Sequence, residues 1–184
     1  MAQSSPEEIA LHWHSAASSG FAAPGDWKAW ADRLIEVTDE PPMWLIDISL
    51  AGSTEALLPI MGALRRKVHE PMCVGILHHA EQADALQNGL DDVEAGYYLL
   101  KLEEGRLNLR DTLIAIGDFT DAADGISAGQ CEDFYDLCNR LDSGESEAEI
   151  KRLLYQRIGK LGEIARSQWV ELQALRSLGS HPGT

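Results

Sequence analysis

The sequence predicts a mostly α-helical protein, with seven or eight helices packed as one bundle-like domain. Three potential capping boxes, beginning at Ser5, Ser127 and Ser146, each precede an apolar stripe with the three- and four-residue spacing of a helix. The composition, 45% hydrophobic and 24% charged, is typical of a globular protein. The predicted domain covers residues 1–178, and residues 179–184 are predicted to form a flexible tail.

The first two helices are predicted on either side of a loop at residues 22–25. Ser5 and Glu8 can form the capping box of the first helix, with Pro6 at its first position. Asp26 is predicted to start the second helix. We expect Trp30 to be a core residue. The apolar face of the second helix comprises Trp27, Trp30, Ala31, Leu34 and Ile35.

Residues 43–50 fit either a short helix or a strand, and the helix is preferred because the neighbouring segments are helical. A further helix is predicted over residues 54–68, with a kink or restart at Pro59 and a break at Glu70 and Pro71. Helical spacing then continues from Ile76 to Leu90.

Residues 91–104 are predicted to be helical, and the alternative is an α+β fold with a small hairpin around residues 98–109. Leu109 to Phe119 continues with helical spacing. The last helix, introduced by Ser146, is predicted to be the longest and to reach Leu178. Gly159 and Gly162 are expected to weaken its middle by about 1 kcal/mol each.

Charge is distributed unevenly along the chain. Residues 81–149 carry 18 acidic and 4 basic side chains, whereas residues 150–184 carry 2 acidic and 6 basic ones. The net charge of −15 and the pI near 4.6 argue against nucleic acid and against an anionic membrane surface as partners. The same field would attract a basic protein or a metal ion.

The remaining composition favours a reduced, cytoplasmic protein. The three cysteines form no C-x-x-C pair, which argues against a disulfide scaffold. The first eight residues lack the basic and apolar segments of a secretory signal, and the apolar runs are too short to cross a bilayer.

Motifs for catalysis are weak, and no cofactor is predicted. Residues 125–129 match G-x-S-x-G, but no strand precedes them, and Ser127 is better interpreted as a helix cap. Neither G-x-G-x-x-G nor a Walker A sequence occurs. Asp118, Asp121 and Asp124 recur every three residues and could ligate a cation, although such a run is usually a solvated face.

We therefore hypothesise a protein-interaction module or an immunity-type inhibitor that uses an acidic surface to bind a basic protein. The predicted partner-binding residues are Asp91, Asp92, Asp133 and Asp136. The alternative is a metal-assisted hydrolase that uses Asp118, Asp121 or His78, near the run that ends at Asp124. A third interpretation is that the acidic middle pairs with the basic last helix. That helix could also mediate a homo-oligomer.

Overall fold

The computed structural model describes residues 4–75, 93–122 and 131–177, and within these ranges the chain forms helices and no strand. This confirms the predicted mostly α fold. The helices are α1 (Pro6–Ser18), α2 (Pro24–Val37), α3 (Met43–Leu50), α4 (Thr54–Gly75), α5 (93–103), α6 (Leu109–Ala122), α7 (Cys131–Asp142) and α8 (Glu147–Ser177).

Both segments that the sequence left open are resolved in favour of a helix. Residues 43–50 form α3, and α5 extends through residue 103 before a turn in which Gly105 has a φ of 70°. The hairpin alternative around residues 98–109 is therefore wrong. Glycine suits this turn because a left-handed φ is strained for other residues.

The chain divides into two compact units. Unit 1 comprises Met1–Asp84 with Gln168–Thr184, and unit 2 comprises Ala85–Ser167. Helices α1–α4 and the last residues of α8 belong to unit 1, while α5–α7 and the first two thirds of α8 belong to unit 2. A single domain over residues 1–178 stays a prediction, and the predicted tail lies outside the described residues.

The local signals at the first two helix starts act largely as predicted. Glu8 donates its backbone N–H to the Ser5 hydroxyl at 3.2 Å, and the Ser5 backbone N–H donates to the Glu8 carboxylate at 2.6 Å, which completes a capping box. The prediction that Asp26 starts the second helix is wrong by two residues. Helix α2 begins at Pro24, and Asp26 instead accepts the backbone N–H of Ala23 at 2.9 Å.

Two prolines do not end helices where the sequence suggested. Helix α4 runs without interruption from Thr54 to Gly75, through both Pro59 and Pro71, so the predicted restart and break are wrong. A proline inside a helix removes one backbone hydrogen bond and crowds the preceding turn. The bonds of the neighbouring turns can still hold the helix together.

Unit 1 is built around buried tryptophans. In this unit α1 packs against α4 and α2 packs against α3. Trp13 and Trp27 are fully buried and Trp30 is 5% exposed, so the prediction that Trp30 is a core residue is confirmed. The Trp27 indole N–H donates to the Ala51 carbonyl at 3.1 Å. Trp169 of α8 packs edge-on against Trp13, with ring centroids 6.0 Å apart.

Unit 2 has its own hydrophobic core, to which α5–α8 contribute side chains and in which Phe134 is fully buried. Gly96 of α5 lies directly against the backbone of α8, because a Cβ at this position would overlap the carbonyl of Leu161 and lie 3.0 Å from the Ala165 Cβ. Gly162 of α8 faces Leu99, whose Cδ2 would lie 2.8 Å from an added Cβ. Small residues therefore allow α5 and α8 to approach closely.

No helix in the described part of the chain is both long enough and apolar enough to cross a membrane.

We expect unit 1 to lose stability as the pH falls below 6.5. Burial lowers the pKa of His12 in α1 from its usual 6.5, although the carboxylates of Glu171 and Glu8 oppose the shift. The unfolded chain then binds a proton more readily than the folded protein does. The contribution of neutral His12 to the free energy of unfolding is therefore fully present above pH 6.5 and is lost as the pH falls. The melting temperature should fall between about pH 6.5 and pH 5, and less steeply in His12→Gln.

The carboxylates with lowered pKa values, Glu55, Glu145 and Glu149, titrate below their usual 4.5 and thus outside this window. Equal slopes for wild type and His12→Gln between pH 6.5 and 5 would show that His12 does not couple folding to pH.

Candidate functional site

The structure places two of the four predicted partner-binding residues together. Asp133 and Asp136 lie one helical turn apart on α7 and line the same groove. Asp91 and Asp92 lie outside the described residues. The concentration of charge thus pointed to residues on a common surface, although the groove itself was not predicted.

The groove lies between α7 and α8 within unit 2, and its volume is about 280 Å³. Leu137 and Leu153 provide its apolar lining, and Gln156 adds an amide. Two arginines, Arg140 and Arg157, complete its wall beside the two aspartates. The groove therefore combines a small apolar surface with charges of both signs.

Asp133 is already engaged by a cation of α8. Its carboxylate forms an ion pair with the Arg157 guanidinium, which also lies over the Phe134 ring at 5.9 Å from the centroid. Both members of the pair are exposed, with 38% and 42% of their side-chain surfaces accessible. An exposed ion pair of this kind contributes about 0–1 kcal/mol, so a competing cation can displace it.

Asp136 is the more available of the two carboxylates. It is 68% exposed and lies 4.0 Å from Arg140, at the limit of an ion pair. Arg140 instead donates two hydrogen bonds to Glu145, at 2.7 and 2.8 Å, and this pairing lowers the pKa of the Glu145 carboxyl. The internal cation nearest to Asp136 is thus mainly occupied elsewhere.

The third interpretation, internal pairing with the last helix, holds for part of unit 2. Arg157 binds Asp133, and Arg166 of α8 binds Glu103 near the end of α5. Lys151 and Arg152 pair with Glu147 and Glu149 of α8 itself. The basic helix therefore neutralises some of the acidic region, and among the described side chains Asp136 forms its long ion pair with Arg140 of α7 and not with a cation of α8.

The carboxylates of the alternative, metal-based hypothesis serve to join α6 to α7. The Tyr135 hydroxyl donates to Asp118 at 2.7 Å, and the Cys131 thiol lies 3.5 Å from a carboxylate oxygen of Asp121. The hydrogen bond to Asp118, together with burial, raises the pKa of Tyr135 to about 12. Tyr135 is therefore a neutral hydrogen-bond donor to Asp118.

A further side-chain contact joins α6 and α7 at the other end of the helix pair, where Arg110 donates to Asp142 at 3.0 Å. Within the part of the chain that the structure describes, no three His, Cys, Asp or Glu side chains form a group that could hold a metal ion. Asp124 and His78 lie outside that part, as does the G-x-S-x-G segment.

The sequence analysis did not identify Tyr135 of α7 and Gly117 of α6, which pack against each other between these two helices. A Cβ at Gly117 would meet the Tyr135 ring at 2.6–3.0 Å, so the absence of a side chain lets the ring lie across α6 and reach Asp118. A glycine followed by an aspartate inside an apolar stripe is the one signal that could have suggested such a contact.

Function is inferred from these charges and contacts, because no protein-family model, no curated protein and no solved structure matches the chain.

Proposed function

We propose that this protein is an interaction module that binds a basic protein partner through the acidic surface of α7 and the groove beside it. The observation that carries the proposal is the placement of Asp133 and Asp136 on one groove with an apolar lining. The net charge of −14 over residues 81–149 supports it, since such a field accelerates the encounter with a positively charged surface.

The groove suits a lysine or arginine side chain of the partner. The methylene stem of such a residue can lie along Leu137 and Leu153, and its charged head can reach the carboxylate of Asp136. A second partner cation can replace Arg157 at Asp133, because the exposed internal pair is weak. An inhibitor that neutralises a basic toxin or nuclease uses this kind of electrostatic complementarity.

The proposal predicts that Asp136→Lys slows association with the partner. The partner is first captured on the immobilised wild-type protein, then identified and purified. Its association rate is measured by surface plasmon resonance at low salt. Reversing a charge within the docking surface should reduce that rate by about tenfold, with little effect on folding because Asp136 is 68% exposed.

Glu147→Lys is the matched control. Glu147 is 70% exposed and forms a similarly long i,i+4 pair, 3.8 Å from Lys151, but it does not line the groove. Both variants change the net charge of the protein by the same amount. If the two slow association equally, the partner responds to overall charge and not to α7, and the proposed site is wrong.

A further inference from the structure

The segment from residue 34 to residue 64 contains no lysine or arginine. It covers the end of α2, all of α3 and the first half of α4. None of the ion pairs among the described side chains involves its acids, in contrast to those of unit 2. These acidic residues are Glu36, Asp39, Glu40, Asp47 and Glu55. Among the described side chains, the acids of this segment therefore have no ion-pair partner.

The same segment also exposes apolar side chains. Val37, Met43, Leu50 and Leu58 are 80%, 68%, 72% and 52% exposed. The segment also lines a groove of about 460 Å³ between α3 and α4, formed by Trp44, Asp47, Pro59, Ile60, Ala63 and Leu64. Five of these six lining residues are apolar. An exposed groove with a mainly apolar lining is typical of an interaction site.

We infer that this groove binds a basic amphipathic helix of a partner protein. The apolar face of such a helix would enter the groove, and its lysines and arginines would face the acids of residues 34–64. The lining residues 59–64 of α4 span about 7.5 Å, which accommodates two anchor side chains one helical turn apart. This surface belongs to unit 1, so the inference is independent of the proposed role of α7.

Charge argues against the other occupants. An anionic membrane would be repelled by Asp47 in the groove and by the other acids of the segment. A second copy of the chain would present the same acidic segment, with its net charge of −15. An extended peptide would gain no backbone pairing, because the described residues form no strand whose edge it could extend.

The probe that tests the inference is a fluorescein-labelled synthetic helix of about 18 residues, with leucine on one face and lysine on the other. Its fluorescence anisotropy is followed as the full-length protein is added. We expect saturable binding that weakens as the salt concentration rises. A scrambled peptide of the same composition should bind at least about tenfold more weakly.

Ala63→Lys is the variant that tests the groove, and Val170→Lys is its control. Ala63 is exposed within the groove, whereas Val170 is a 64% exposed apolar residue of α8 in unit 1 that does not line it. Both variants add one positive charge. We expect Ala63→Lys to weaken peptide binding by about tenfold or more and Val170→Lys to change it by less than about twofold.

Several results would overturn the inference. One is the absence of binding, and another is equal affinity for the scrambled peptide. A third is a loss of affinity in Asp136→Lys but not in Ala63→Lys, which would assign the peptide to α7 and support the proposed function instead. A fourth is a wild-type dimer that Ala63→Lys converts to a monomer in sedimentation, which would assign the groove to a second copy of the chain.

Discussion

Replacing Trp30 with alanine is expected to lower the free energy of unfolding by about 3–5 kcal/mol. The indole is 5% exposed in the core of unit 1, beside the fully buried Trp27. Truncation removes its apolar contacts and leaves a cavity that the surrounding helices can fill only in part. Urea denaturation measures the loss directly, as a shift in the transition midpoint.

Val37→Ala is the control for this prediction, because Val37 lies on the same helix and is 80% exposed. Surface substitutions of this kind usually change stability by about 0.5 kcal/mol or less. A Trp30→Ala variant as stable as Val37→Ala would mean that the tryptophan lies on the surface of the protein.

Gly96→Ala is expected to destabilise unit 2, although alanine is the better helix former. The new Cβ would overlap the carbonyl of Leu161, and a backbone atom cannot move aside as the end of a flexible side chain can. Forcing α5 away from α8 should cost about 1–3 kcal/mol or more. The melting temperature of Gly96→Ala should fall accordingly.

Gly159→Ala is expected to stabilise the protein, in contrast to Gly96→Ala. Its nearest neighbours are atoms of Tyr155 at 3.9 Å, which is an ordinary contact, so the gain in helix propensity of about 0.5–1 kcal/mol is retained. If both substitutions stabilise the protein, α5 and α8 are not in close contact at Gly96.

The glycines of α8 show what the sequence alone could and could not establish. From helix propensity, Gly159 and Gly162 looked equivalent, each weakening the middle of a long helix. In the structure Gly162 faces Leu99 of α5, whereas among the described residues the atoms within 4 Å of a Cβ at Gly159 belong to Tyr155 of α8 itself. The distinction depends on which helix packs against α8, and periodicity along one segment carries no such information.

Helix positions were predictable because their determinants are local. The capping box at Ser5 and the tryptophan stripe of α2 lie within a few residues of the structure that they specify. The errors at Pro59 and Pro71 came from treating proline as a helix end, when α4 accommodates both. A proline costs a helix one hydrogen bond locally, and neighbouring turns can offset that cost.

The sequence predicted the acidic residues of the candidate site, but it did not predict the groove that they line. Asp133 and Asp136 stood out because acidic residues are concentrated between residues 81 and 149. The groove that they line also needs Leu153 and Arg157, which come from α8 and are brought to α7 by packing within unit 2. The pairing of Arg140 with Glu145, which leaves Asp136 more available, is formed by the turn between α7 and α8, whose geometry the charge pattern does not specify.

The dependence of the partner's association rate on ionic strength tests the central claim most directly. If the acidic surface of α7 steers a basic partner, the rate should fall steeply between about 50 mM and 300 mM salt, and the slope should be shallower in Asp136→Lys than in Glu147→Lys. A rate that is constant across this range, with identical slopes for both variants, would contradict the account and leave the acidic surface a solvated face.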